Sequence, residues 1–198
     1  TIGDISTTSF FPSKNLGCYG DGGAIMTNSD NLAYKIRGLV NHGMYERYYH
    51  DEIGVNSRLD SIQAAILNVK LKYLNKYNNS RQESAKLYNE KFDNMELLET
   101  PFVESDFDTH VYHQYTLKVK NGMRDKLAEH LSKNNIPFGI YYPLGFHEQK
   151  AYKQEFMSEN DFPVTNQVKN EVISLPMHTE LSKRQITYIT DAVSSFFE

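Results

Sequence analysis

The sequence predicts an α/β protein in two parts, and three observations carry that prediction. A glycine-dense segment near the start is followed by a short strand pattern and a capped helix pattern. A long stretch from Arg58 to about Phe92 repeats apolar residues at helical spacing. Beyond it, strand and helix patterns alternate, as they do where helices pack on a sheet.

Each element has a local cause. Ser9-Phe10-Phe11-Pro12 reads as the end of a strand or a buried loop, because Pro12 disfavours helix immediately before it. Gly17, Gly20, Gly22 and Gly23 fall within seven positions. That density gives the backbone freedom at an entropic cost and marks a loop bent tightly against something. Residues 24–27 read as a short strand, and Asn28-Ser29-Asp30 offers turn and N-cap residues for a helix over 31–40. Gly43 lies just beyond its end, as a helix stop does. Residues 41–57, rich in Tyr, His and Gly, show no lasting period and read as a long loop. Then Leu59, Ile62, Ile66, Val69 and Leu74 recur at helical spacing, and the pattern continues through Ala85 and Tyr88, with Asn78-Asn79 as the expected break.

The remainder predicts a strand over 110–118, a helix over 123–133, a strand over 137–142, a short helix over 148–156, a strand over 172–175 and a final helix over 182–196. These form a small α/β or α+β layer domain with helices on a sheet. The expected division is residues 1–75 and 76–198.

Composition narrows the function. With 21 basic against 25 acidic residues the net charge is near −4, a poor default for a protein that grips a phosphate backbone. The lone cysteine, Cys18, excludes an intrachain disulfide and fits a cytoplasmic protein. Apolar runs are far shorter than the roughly 20 residues that cross a bilayer. Neither a membrane nor a nucleic-acid partner is expected.

The motifs exclude several chemistries. A nucleotide P-loop places its lysine after the glycines, followed by Ser or Thr; here Lys14 precedes them. The dinucleotide fingerprint fails because Gly20-Asp21-Gly22-Gly23 leads into a strand instead of opening a helix. His110 and His113, three apart in a strand-like stretch, would face opposite ways, and the histidines with Cys18 form no zinc pattern, so no metal is expected. The scattered tyrosines suit packing better than base stacking. On spacing alone, Lys14 reads as a solvent-facing loop lysine.

The block Ser9-Phe10-Phe11-Pro12-Ser13-Lys14-Asn15-Leu16-Gly17, continuing through Gly20-Asp21-Gly22-Gly23-Ala24-Ile25-Met26-Thr27-Asn28, resembles the lysine segment of the DegT/DnrJ-type aminotransferases of sugar biosynthesis. The likeness runs on through Asn41-His42-Gly43, through Gly54-Val55-Asn56-Ser57-Arg58-Leu59-Asp60-Ser61-Ile62-Gln63-Ala64-Ala65, and into Tyr142-Pro143, His147 and Leu175-Pro176-Met177-His178. It covers essentially the whole chain. The resemblance implies the C-terminal half of a pyridoxal-phosphate-dependent transferase of the aspartate-aminotransferase type, fold type I. Residues 1–75 would then be the later part of the large cofactor-binding domain, and 76–198 the small α/β domain. In that family the earlier half supplies the ring-stacking aromatic and the acid that pairs with the pyridine nitrogen.

By resemblance, Lys14 is the catalytic lysine that bonds pyridoxal 5'-phosphate. The chemistry asks for such a residue in any case: only a neutral primary amine condenses with the aldehyde, and the released amine is placed to move a proton between Cα and the cofactor's C4' atom. Ser9 matches a serine that contacts the cofactor phosphate, although a turn or cap role is the plain alternative. Asn56 matches a phosphate contact presented to the partner subunit. Arg58 lies in the same loop presented to the partner subunit, as a substrate-binding candidate that could instead hold the loop or begin the helix, and His42, Tyr142 and His147 fall in segments resembling those that line the sugar-nucleotide entrance.

The implied function is transfer of an amino group from an amino acid, glutamate being the expected donor, to a nucleotide-linked keto-sugar bound for a polysaccharide, another glycan or a secondary metabolite. A homodimer with shared active sites is implied as well. Two readings stand beside it. One is a sugar dehydratase of the same family, whose members carry histidine in place of the lysine; the other is a non-catalytic regulatory homologue.

Overall fold

A computed structural model describes residues 2–104, 109–153 and 158–198. The chain splits into two compact units, Thr1–Asn75 and Lys76–Glu198.

In the first unit, β1 (Ser6–Ser9) pairs antiparallel with β2 (Gly23–Met26), Ser6 opposite Met26 and Ser9 opposite Gly23. Helix α1 (Asp30–Leu39) starts where Ser29 accepts the Leu32 N–H on its side chain, with Asp30 in the first turn and Arg37 in the last, both favourable to the helix dipole. Gly43 ends it: at φ +72° its N–H reaches the Gly38 carbonyl at 2.9 Å, and a Cβ there would lie 1.7 Å from the Glu52 oxygen.

Residues 41–57 are not a featureless loop. They contain a hairpin of β3 (Met44–Glu46) and β4 (Tyr49–His50) with an irregular register. Tyr45 and Tyr34 stack at 4.7 Å, so α1 supplies the packing that the hairpin's polar sequence hides.

Helices α2 (Ser61–Leu71) and α3 (Leu74–Phe92) break at Lys72-Tyr73 rather than at Asn78-Asn79. The buried face decides this. Arg81, Ala85, Tyr88 and Phe92 repeat four, three and four residues apart and anchor α3 just beyond the two asparagines, whose propensity cost of a few tenths of a kcal/mol each is too small to end a helix anchored there.

The second unit packs helices on an antiparallel sheet of order β5-β6-β7, formed by Leu98–Glu99, Tyr115–Val119 and Val172–Leu175. Along β6, Tyr115, Leu117 and Val119 are fully buried and alternate with half-buried residues, as a strand with one covered face requires. Tyr88 and Phe92 of α3, Leu127 and Leu131 of α4 (Arg124–Lys133), and Ile189 and Val193 of α6 (Lys183–Phe197) complete the core. Burying each such side chain contributes about 1.5–3 kcal/mol. Ser182 and Gln185 form a reciprocal capping box at the start of α6. Between β6 and α4 the chain turns through Asn121 (φ 57°) and Gly122 (φ 67°).

Several expectations need correction. The strand expected over 110–118 begins only at Tyr115, because Tyr112 sits at φ 40° and donates its N–H to His110 Nδ1. The strand expected over 137–142 reduces to a single bridge between Gly139 and Ser174. In place of a helix over 148–156 there is a 3-10 turn at Phe146–Glu148 followed by turns, and residues 154–156 of that expectation lie outside the described residues. Helix α5 (Pro163–Glu171) and β5 were not anticipated; α5 starts on Pro163, which is preset for a first helical turn.

Candidate functional site

Lys14 sits in the connection from β1 to β2, half-buried, on a turn closed by its own N–H donating to the Phe11 carbonyl at 2.9 Å. The loop is folded back on itself. Phe10 N–H donates to Gly22 O at 2.8 Å, and Cys18 N–H donates to Phe10 O at 2.8 Å. The Cys18 thiol, fully buried, lies 2.9 Å from both the Phe10 and Gly20 carbonyls. Gly17 must be glycine for steric reasons: a Cβ would lie 2.5 Å from Pro12 O and 2.6 Å from Phe11 O.

Two side chains of α2, which the sequence did not single out, reach this loop. Gln63 Oε1 accepts the Tyr19 N–H at 2.8 Å, and Lys70 Nζ donates to Gly17 O at 2.5 Å. Ser9, at the end of β1, accepts the Phe11 N–H on its hydroxyl at 3.2 Å, a turn contact made with its own loop.

A cleft of about 1080 Å³ opens along β1, β2 and α1. It brings Asn56 and Arg58 together with Arg37 and Asp21. Arg58 Nε donates to Asn56 Oδ1 at 3.2 Å, while the Asn56 backbone bridges to Asn41 and so fixes the segment against the end of α1. Lys14, Ser9 and His42 are not among the residues that line this cleft. His42 is exposed at φ 62°, its carbonyl 2.9 Å from His50 Nδ1. Nearby, Tyr45 donates to Glu52, and that hydrogen bond is the main reason its phenol is pushed up to about 12.

Tyr142 and His147 belong to the second unit. Tyr142 is exposed. His147 is buried, stacked on Phe162 at 4.3 Å with an interplanar angle of 17°. Its neighbour Glu148 takes an ion pair from Lys169 at 2.5 Å and the Gly145 N–H at 2.8 Å, which together hold its carboxyl below the usual range. Among the described residues no group of three or more His, Cys, Asp or Glu could hold a metal, and no helix is long and apolar enough to cross a membrane.

The candidate groups are a primary amine on the β1–β2 turn, a hydroxyl at the end of β1, and an amide with a guanidinium in the cleft that neither of the first two lines. Such groups suit a ligand that carries both an aldehyde and a phosphate.

The sequence model of the DegT/DnrJ/EryC1/StrS aminotransferase family matches residues 1–194. The chain is 40% identical over 198 residues to the pleiotropic regulatory protein of Geobacillus stearothermophilus, covering 99% of this chain and 52% of that protein. It is 40% identical over 194 residues to the UDP-2-acetamido-2-deoxy-3-oxo-D-glucuronate aminotransferase of Pseudomonas aeruginosa, covering 98% and 52%. Among solved structures, the DesV protein of S. venezuelae, crystallised with a ketimine intermediate, superimposes with a TM-score of 0.89 at 34% identity, covering 99% of this chain and 52% of that one. The chain thus spans about half the length of the curated relatives it matches.

Proposed function

Because this chain belongs to the DegT/DnrJ/EryC1/StrS aminotransferase family, we propose that in the complete protein it supplies the cofactor lysine of a sugar-nucleotide aminotransferase. The donor is an amino acid, glutamate being our choice, and the acceptor is a keto-sugar on a nucleotide diphosphate. The observation that carries this reading is Lys14 on its closed turn, inside a family match that spans nearly the whole chain. The first unit is the later part of the large domain and the second the small domain.

The cofactor is pyridoxal 5'-phosphate, which when bound supplies the electron sink and the carbon that carries the amino group. Lys14 would hold it through Nζ, and the same amine, once free, would be the base placed to move the proton at the donor's Cα. The closed turn keeps this amine from wandering, which preserves the orientation that an intramolecular proton transfer depends on. The Ser9 hydroxyl would donate its proton to the cofactor phosphate while its oxygen still accepts the Phe11 N–H. Asn56 is offered to the phosphate of the neighbouring subunit in a homodimer. His42, Arg58, Tyr142 and His147 contribute to sugar-nucleotide binding, His147 through the walls of its own unit because its ring is buried. The protein works in the cytoplasm, where sugar nucleotides and a reduced Cys18 both belong.

The test is the full-length protein with pyridoxal 5'-phosphate, glutamate and a nucleotide-linked keto-sugar. Lys14→Ala is expected to lose the visible absorbance of the bound cofactor and all transamination; a variant that keeps both overturns the assignment. The name of the Geobacillus relative favours a second reading, a regulator that keeps the fold without turnover. Wild-type protein that binds cofactor but never converts it in the presence of glutamate would establish that reading. A lysine at position 14 argues against the dehydratase alternative, whose members carry histidine there.

A further inference from the structure

We propose that Gln63 and Lys70 of α2 are positioning residues for Lys14, which hold the glycine-rich loop from behind and set where the lysine amine is presented. The proposal rests on the reading of Lys14 given above. The two side chains are seven residues apart and therefore share a helix face. Gln63 Oε1 accepts the Tyr19 N–H at 2.8 Å, and its amide covers Gly20, where a Cβ would meet Nε2 at 2.9 Å. Two turns further along, Lys70 Nζ donates to Gly17 O at 2.5 Å and lies 5.4 Å from the centre of the Tyr19 ring. One helix thus grips both ends of the segment 17–19.

The grip continues to Lys14. The Gly17 backbone rests against the Phe11 and Pro12 carbonyls so closely that no Cβ fits, and the Phe11 carbonyl accepts the Lys14 N–H at 2.9 Å. Movement of Gly17 is therefore movement of the turn that carries Lys14. Lys70 directs its charge at this loop, since its described partners are a backbone carbonyl and an aromatic face, with no carboxylate among them. A charge-assisted bond of this kind is stronger than a neutral one and is directed at one carbonyl.

The experiment compares Lys70→Met, Lys70→Arg and Gln63→Leu in the full-length protein, with and without pyridoxal 5'-phosphate. Without cofactor, Gln63→Leu is expected to speed hydrogen exchange at the Tyr19 amide by roughly an order of magnitude or more, about what losing one hydrogen bond allows. With cofactor, Lys70→Met and Gln63→Leu are expected to shift the pH midpoint of the visible absorbance and to weaken cofactor binding on the order of tenfold. Lys70→Arg, which still donates to the Gly17 carbonyl, should restore most of both. Folded variants with wild-type midpoint and affinity overturn the positioning role, even if exchange at Tyr19 changes. Should Gln63→Leu fail to fold, Gly20→Ala displaces the Gln63 amide without removing it, and an unchanged midpoint there is equally decisive. If Lys14→Ala keeps the visible absorbance, the reading of Lys14 itself fails and this proposal falls with it. If Lys14→Ala loses the absorbance while the α2 variants look wild-type, only the positioning role is overturned.

Discussion

Arg81 Nη1 lies 3.2 Å from the carbonyl oxygen of Met177, a residue 96 positions further along the chain. The same nitrogen reaches the carbonyls of Tyr112 at 3.0 Å and His113 at 3.1 Å. A single buried cation therefore ties α3 to two separate loops, and burial lowers its pKa from the ordinary arginine value. Arg81→Ala is expected to destabilise the protein by about 3 kcal/mol, because it leaves buried carbonyls without donors. Urea unfolding checks this; a loss under about 0.5 kcal/mol would mean that water replaces the guanidinium.

Gly17→Ala tests the steric argument at the lysine loop. Its Cβ would collide with two backbone oxygens, which cannot swing away as a side-chain tip can, so the turn carrying Lys14 has to shift. Cofactor affinity is expected to fall roughly tenfold or more, with a stability loss on the order of 1–3 kcal/mol from the crowded loop. Gly122→Ala is the control, since nothing lies within 4 Å of its Cβ position; its cost is only that of a positive φ, about 1 kcal/mol, with cofactor binding untouched.

Much of this architecture was legible where a cap or a period announces it. Ser29 and the Ser182–Gln185 pair mark the starts of α1 and α6 as capping chemistry says they should. The hairpin at 44–50 was not legible, because its turn uses Arg47-Tyr48, with Tyr48 at φ 72°, instead of the Asn-Gly or Asp-Gly pair that signals such turns. Helix α5 contains no buried residue, so it has no apolar stripe to read; Arg124 Nη1 holds its far end through the Lys169 and Val172 carbonyls. At the candidate site, resemblance singled out Lys14. Gln63 and Lys70 left no local trace, since their loop partners lie 44 and 53 residues away.

Acid should weaken the second unit through Glu148. Its carboxyl pKa is depressed in the folded state, first by Lys169 and then by the Gly145 N–H, so its contribution to stability is present above the ordinary carboxylate pKa of 4.5 and is lost as pH falls through the lower folded value. Thermal unfolding between about pH 6 and 3 is expected to show a steeper decline for the wild type than for Glu148→Gln. Parallel curves would remove Glu148 from the account.

The proposed sharing of the active site between subunits can be tested by mixing variants. Lys14→Ala and Asn56→Ala, each inactive or impaired alone, should recover activity when full-length subunits are mixed and allowed to exchange. Half of the dimers would then be mixed and each would hold one intact site, giving roughly a quarter of wild-type activity. No recovery after demonstrated subunit exchange would place both residues in the same site or remove Asn56 from it.

The turn at Asn121-Gly122 has a practical consequence. Two successive positive φ angles, with open space around the glycine, form a tip anchored on one side by β6 and on the other by α4. Exposed tips of this kind tolerate added chain. A fluorophore or a short epitope placed there would be carried by the sheet and helix of the second unit and would label that unit without touching any of the candidate site residues.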